Sequence, residues 1–346
     1  MDQSVTSSQK TDPPFGRRIL SIDGGGILGI FPISFLAEIE QHLDHPIGEY
    51  FDLITGTSTG GILAIGLALG IPATDLLYFY QKKGPTIFGQ SHRGMDFLMK
   101  NVRRVWRLYR NKYDSEELKN ALSEVLGDRR IGDSRTRLII PAWNPVAQSV
   151  YIYKTAHHER LRTDYKALAL DAALATSAAP TYFREHITAT GAGLIDGGVW
   201  AGNPIALAVI EAFGVLKWDP KELNILSLGC LQDVYSVPKS AGIGTLGLEA
   251  INLFMDGQSY GAMGMAKILT GDSHERQAIY RIDHNVPRGK FKMDDTSLIP
   301  DLKGLGHIKA RESFPLLQNI FFMHPAETFI PVYSLNRPYN GTGIPA

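Results

Sequence analysis

The chain has 346 residues, of which 44% are hydrophobic and 20% are charged, and this composition excludes intrinsic disorder for most of its length. Its 35 basic residues balance 35 acidic residues, so no net charge draws the whole chain to nucleic acid. The single cysteine, Cys230, excludes an internal disulfide and a cysteine-based metal site, and it favours a cytoplasmic protein. The longest apolar stretch, at 62–71, is interrupted by two glycines, so we expect no membrane span.

Apolar strand-like and helix-like segments alternate along the chain after a polar tail that we expect to be disordered over 1–14. The patterns predict strands at 17–22, 50–56, 136–142, 149–155, 224–229 and 277–283. They predict helices from the glycine loop to about Leu43, and at 62–70, 114–126, 167–178, 203–216, 245–270 and 304–322. Such alternation is typical of the α/β class, with a mainly parallel sheet covered on both faces. We expect one domain over 15–335, with a C-terminal helical layer at 235–335 and a tail at 336–346.

The second strand leads into Gly56-Thr57-Ser58-Thr59-Gly60, a GxSxG pattern. In a nucleophile elbow this pattern places a serine on a strained turn between a strand and a helix, with its hydroxyl exposed. The strand before it and the apolar helix after it are the context that this chemistry requires. A serine that caps a buried helix is the alternative interpretation.

The first strand leads into Asp23-Gly24-Gly25-Gly26, which precedes a helix. Backbone amides at such a helix end can stabilise an oxyanion. Gly24, Gly26 and Gly29 also form GxGxxG, with Asp44 about twenty residues further on, which resembles a dinucleotide-binding fingerprint. An aspartate beside a pyrophosphate and a serine elbow after the second strand both argue against that alternative.

A third motif is Asp196-Gly197-Gly198, in which an aspartate ends a short apolar strand. Alone, this pattern is a common turn. The three motifs in this order resemble those of the patatin-like phospholipases, serine lipid acyl hydrolases that use a Ser-Asp dyad. The resemblance spans about residues 17–230 and includes the segments IPAWN at 140–144 and ATSAAPTYF at 175–183, and Asn203-Pro204.

The resemblance implies a three-layer patatin-like fold without a metal or an organic cofactor. It implies that Ser58 is the nucleophile, that Asp196 is its base, and that the oxyanion hole is formed by the amides of Gly24, Gly25 and Gly26. The sequence departs from the family at Leu28, where a basic residue is usual, and at 228–231, where a glycine-rich LGTG is usual.

Within the family, ILSIDGGGILGIFP at 19–32 and YFDLITGTSTGGILAIGLALG at 50–70 look most like bacterial effectors of cyclic-oligonucleotide anti-phage signalling. That resemblance implies a homodimeric phospholipase that a cyclic dinucleotide activates against membrane phospholipids. The implied location is the cytoplasm, with peripheral contact at the inner membrane.

A basic amphipathic helix is predicted at 97–110. Its apolar stripe contains Leu98, Val102, Val105 and Tyr109, and its opposite side carries Lys100, Arg103, Arg104, Arg107 and Arg110. Such a helix suits anionic lipid headgroups or a phosphate-rich ligand, although a solvated basic face is the alternative. Further candidates for phosphate contacts are Lys267, Arg276 and Arg281.

Two other functions remain open from the residues alone. His274, His284, His307 and His324 follow Asp196 in the Ser, Asp, His order of α/β-hydrolases, so a Ser-His-Asp esterase is one alternative. The other is a nucleotide-binding protein with a vestigial elbow, which no fluorophosphonate probe would label at Ser58.

Overall fold

A computed structural model describes residues 16–89, 113–234, 249–287 and 293–335, with the backbone of 339–340 and 344–345. The expected tail at 1–14 and the basic residues Lys100, Arg103, Arg104, Arg107 and Arg110 lie outside the described residues.

A single large sheet forms the centre of the fold. Its strands are β1 (Arg17–Ile22), β2 (Leu53–Gly56), β3 (Arg137–Asn144), β4 (Ser149–Lys154), β5 (His186–Ile187), β6 (Gly193–Asp196), β7 (Leu223–Leu228) and β9 (Ile279–Ile282). The parallel centre has the order β3-β2-β1-β7-β9, whereas β4 and β6 are antiparallel to β3, and β5 is antiparallel to β6. Two short strands, β8 (Gln232–Val234) and β10 (Asn285–Pro287), pair separately.

Helices cover both faces of this sheet. They are α1 (Ile30–Glu40), α2 (Thr59–Ala68), α3 (Ala73–Gly89), α4 (Ser115–Leu126), α5 (Ala169–Ser177), α6 (Gly198–Ala201), α7 (Ile205–Gly214), α8 (Glu249–Thr270) and α9 (Ile299–Phe321). The predicted α/β class, with a mainly parallel sheet and helices on both faces, is confirmed. No helix within the described ranges is long and apolar enough to cross a membrane.

Two apolar clusters, one on each face, hold the layers together. The larger cluster contains α1 and α2, which are apolar on all sides and buried throughout almost their whole length. The smaller cluster joins Ile19, Ile225 and Ile279 of three adjacent strands to α7 and to Ala262 of α8. Because the strands at the centre are parallel, the carboxyl ends of β1 and β2 meet at one edge, where their loops form the candidate site.

Candidate active site

Ser58 lies on a strained turn between β2 and α2. Its backbone has φ 55° and ψ −124°, a conformation that a residue with a side chain rarely adopts. A Cβ on Gly60 would collide with the carbonyl oxygens of Ile22 and Asp23, and a Cβ on Gly56 would collide with the carbonyl of Gly60. Gly60 is therefore required because the turn packs against the end of β1, and Gly56 is required because the turn folds back closely on itself, as in a nucleophile elbow.

Hydrogen bonds from neighbouring elements fix this turn. The Ser58 amide donates to the Thr176 hydroxyl at 3.1 Å, and that hydroxyl donates to the Pro141 carbonyl at 2.7 Å. The Thr57 hydroxyl donates to the Ala201 carbonyl at 2.6 Å. The elbow is thus attached to β3, α5 and α6, so the orientation of Ser58 depends on residues distant in sequence.

Asp196, at the end of β6, is close enough to Ser58 that the Ser58 side chain lowers the pKa of its carboxyl group. Its carboxylate accepts a hydrogen bond from the Gly198 amide at 2.6 Å, and the residue is only 4% exposed. Burial raises the pKa of Asp196 to about 7, because a charged carboxylate loses its hydration, and the Ser58 side chain and the Gly198 amide oppose this rise. A carboxyl group with this pKa can accept a proton from Ser58 near neutral pH and later return it.

The glycine loop lies directly against the nucleophile, since a Cβ on Gly24 would be 3.2 Å from the Ser58 Cβ. The Gly24 amide, expected in the oxyanion hole, instead donates to the Gly202 carbonyl at 3.0 Å. Within the described part of the chain, the amides of Gly25 and Gly26 have no hydrogen-bond acceptor. These two amides, rather than three, are therefore available to an oxyanion.

The histidines proposed for an alternative triad do not join this arrangement. Among the described residues, the polar groups that lower the pKa of the Asp196 carboxyl are the Ser58 side chain and the Gly198 amide, and no histidine is among them. The imidazole of His307 contacts Glu38 at 2.9 Å instead. Two of the basic residues considered for phosphate binding are also engaged within the fold, since Arg276 donates to backbone carbonyls and Arg281 to carboxylates.

The structure thus brings together Ser58, Asp196 and the glycine loop, which belong to three motifs that are far apart in the sequence. It also adds residues that the motifs did not reveal. Thr176 and Gly202 lie in segments that the resemblance included, but the sequence carried no signal of their hydrogen bonds to the elbow and the loop.

Comparison with known proteins identifies the family of this chain. A family model described as Patatin-like phospholipase matches residues 20–209, which include all three motifs. The chain is 33% identical over 344 residues to the cGAMP-activated phospholipase of Vibrio cholerae, an alignment that covers 90% of this chain and 96% of that protein. The chain belongs to the patatin-like phospholipase family.

Two further matches are a second curated relative and a solved structure. A cGAMP-activated phospholipase of Escherichia coli is 38% identical over 236 residues, which is 64% of each protein. Among solved structures, VipD from Legionella pneumophila has a TM-score of 0.42 at 12% identity, covering 90% of this chain and 68% of its own. The predicted family and enzyme class, a serine hydrolase of phospholipase type, are confirmed.

Proposed function

We propose that this protein hydrolyses acyl esters of membrane phospholipids through a Ser58-Asp196 dyad and an acyl-enzyme. The observation that carries the proposal is the interaction of half-buried Ser58 with the buried carboxyl group of Asp196, whose pKa the Ser58 side chain lowers. The amides of Gly25 and Gly26, which have no acceptor among the described residues, support it because they supply donors beside the nucleophile.

The geometry suits a two-step reaction. Asp196 accepts the Ser58 proton as the serine oxygen attacks the ester carbonyl, and the carbonyl oxygen becomes an oxyanion that the amides of Gly25 and Gly26 bind. Asp196 then returns the proton to the departing lysophospholipid oxygen, which leaves the acyl group on Ser58. A water molecule gives a proton to Asp196 and attacks the acyl carbon; Ser58 regains the proton as the fatty acid leaves.

Labelling and turnover test the dyad together. A fluorophosphonate probe should label Ser58 in the wild type, and Ser58→Ala should abolish both labelling and release of fatty acid from phospholipid vesicles. Asp196→Asn should abolish release as completely, because nucleophile and base act as one unit. Ser21→Ala is a matched control, since that buried hydroxyl has no partner among the described residues. Normal turnover by Ser58→Ala would exclude the proposal.

The proposal extends to activation by a cyclic dinucleotide, because two relatives are named for activation by cGAMP. A phospholipase in the cytoplasm would degrade the membrane of its own cell if it were always active. A ligand that binds the active form ~10⁴-fold more tightly carries the enzyme from about 1% to about 99% active. Fatty-acid release measured with and without cGAMP, alongside calorimetry, tests this. Full activity without cGAMP and no heat of binding would exclude it.

We further propose peripheral contact with the inner membrane from the cytoplasm and assembly as a homodimer. The sequence pattern of 97–110 supports membrane contact, since its basic residues suit anionic headgroups. Light scattering of the purified protein tests the dimer, and a single species of 38.1 kDa, the mass of one chain, would exclude it.

A further inference from the structure

Arg281 lies on β9 and reaches across two neighbouring strands. It pairs in register with Ser227 of β7, and Ser227 pairs with Ser21 of β1, so these side chains share the face of the sheet that α7 and α8 cover. One guanidinium nitrogen of Arg281 donates to the Ser227 hydroxyl at 2.9 Å. The other donates to the carboxylates of Asp23 and Asp283, at 2.7 Å each.

Asp23 connects β1 to the glycine loop. Its amide donates to the Leu228 carbonyl at 2.9 Å, and its own carbonyl accepts from the Cys230 thiol at 3.3 Å. The residue is 8% exposed, and within the described residues its second carboxylate oxygen has no hydrogen-bond partner. Burial raises the pKa of Asp23 to about 6, and the positive charge of Arg281 opposes this rise. Arg281 is therefore the cation that keeps a buried carboxylate ionised at neutral pH.

Asp23 is close along the chain to the amides that would bind the oxyanion. One residue, Gly24, separates Asp23 from Gly25, so their Cα atoms are at most about 7 Å apart. At an effective dielectric constant of about 20, and for a separation of about 7–10 Å between carboxylate and oxyanion, an uncompensated negative charge would slow formation of the oxyanion by roughly 10- to 100-fold. The loop therefore needs a cation at Asp23 for its amides to be effective.

We propose that Arg281 is a positioning residue for ester hydrolysis, which acts through Asp23 by neutralising its carboxylate and by holding the glycine loop against Ser58. The proposal rests on the proposed function of Ser58. It assigns a role in the reaction to the C-terminal part of the chain, since Arg281 lies outside the residues 20–209 that match the family model.

The experiment measures kcat and KM for p-nitrophenyl butyrate, with cGAMP present, at about pH 9 to favour ionised Asp23. The variants are Arg281→Met, Arg281→Gln, Arg281→Lys and Arg281→Met combined with Asp23→Asn. Arg276→Met is the matched control, because Arg276 also donates two hydrogen bonds, to the carbonyls of Thr270 and Leu223 at 2.7 Å each. These bonds lie at the start of β7, which is the end of the sheet opposite to the glycine loop. Thermal unfolding of every variant identifies those that are folded.

We expect Arg281→Met to lower kcat by roughly 10- to 100-fold with KM changed less than about threefold. The reason is that the oxyanion develops in the transition state and is absent from the bound substrate. Arg281→Lys keeps the charge and should retain most of kcat. Asp23→Asn in the Arg281→Met background should recover at least about tenfold, because no charge then needs compensation. Arg276→Met should lower the unfolding temperature without lowering kcat. If Arg281→Met does not fold, Arg281→Gln carries the same comparison.

Equal kcat for the wild type and a folded Arg281 variant would overturn the proposal. A double variant no better than Arg281→Met would also overturn it, since Arg281 would then be only structural. Absence of turnover by the wild type, or turnover unaffected by Ser58→Ala, would instead overturn the proposed function and this proposal with it.

Discussion

The Ser58 amide and the Thr176 hydroxyl form a 3.1 Å hydrogen bond that ties the nucleophile elbow to α5. Thr176 is fully buried and donates its own proton to the Pro141 carbonyl. One hydroxyl therefore satisfies an amide of the strained turn and a carbonyl of β3 at the same time. Removing it would take a hydrogen-bond partner away from both groups.

We therefore predict that Thr176→Val lowers the free energy of unfolding by about 1–3 kcal/mol, although valine has nearly the same shape. It should also lower kcat by at least about tenfold, because Ser58 loses a constraint on its orientation. Chemical denaturation and ester hydrolysis measure the two effects. Thr176→Ser, which keeps the hydroxyl, is the control, and equal losses in both variants would show that the methyl group matters instead.

A pH dependence follows from the pKa of Asp196, which burial raises to about 7. Asp196 can accept the Ser58 proton only when it is ionised, so kcat should rise with pH and reach half its plateau near pH 7. The rate of fluorophosphonate labelling should rise over the same range. A flat profile between pH 5 and 9 would show that another group is the base.

The same carboxyl group should make the folded protein less stable as the pH rises. Its pKa is about 7 in the folded protein, against 3.8 for an ordinary aspartate, so the folded state binds the proton more tightly than the unfolded state. The free energy of unfolding therefore falls as the pH rises from the lower of these values to the higher. Asp196→Asn removes this dependence. At about pH 8 it should raise the free energy of unfolding by up to about 4 kcal/mol, and much less at about pH 4. Thermal unfolding at both pH values checks the sign.

How far the sequence could predict this arrangement depends on distance along the chain. Ser58 and Asp196 were predictable because a strained elbow and a strand-ending aspartate need glycines beside them, which leaves short local patterns. Thr176, Gly202 and Arg281 left no such pattern, because each acts through a hydrogen bond to a residue more than a hundred positions away.

The secondary structure, too, was predictable only where a local sequence pattern determines it. The strand at 17–22 was predicted at its observed bounds, since its run of apolar residues is clear. Helix α3 was not predicted, and it contains Gly84 and Pro85, residue types that usually mark a helix end. Packing of α3 against α1 overrides this local preference: Leu76, Tyr80 and Ile87 are buried in the larger cluster.

Two glycines, one in crowded and one in open surroundings, test the close packing of the glycine loop. A Cβ on Gly25 would collide with the Cβ of Cys230 and lie 2.9 Å from its sulfur, whereas a Cβ on Gly261 of α8 would meet nothing within 4 Å. Gly25→Ala should therefore cost about 1–3 kcal/mol of stability and displace the loop, with a large loss of kcat. Gly261→Ala should instead add about 1 kcal/mol, because alanine favours a helix. Denaturation and ester hydrolysis distinguish them, and a fully active Gly25→Ala would exclude the loop as the oxyanion hole.

Membrane contact through the basic segment is tested by charge reversal at Arg103 and Arg107. Each basic residue near an anionic surface contributes about 1 kcal/mol, so Arg103→Glu with Arg107→Glu should weaken binding to phosphatidylserine vesicles by at least about tenfold at low salt. Reversal of Arg160 and Arg162, which are exposed on a loop, changes the net charge equally and should have little effect. Hydrolysis of p-nitrophenyl butyrate should survive in both double variants, because a soluble ester needs no membrane. Equal vesicle sedimentation for the two pairs would show that net charge, and not the predicted helix, controls binding.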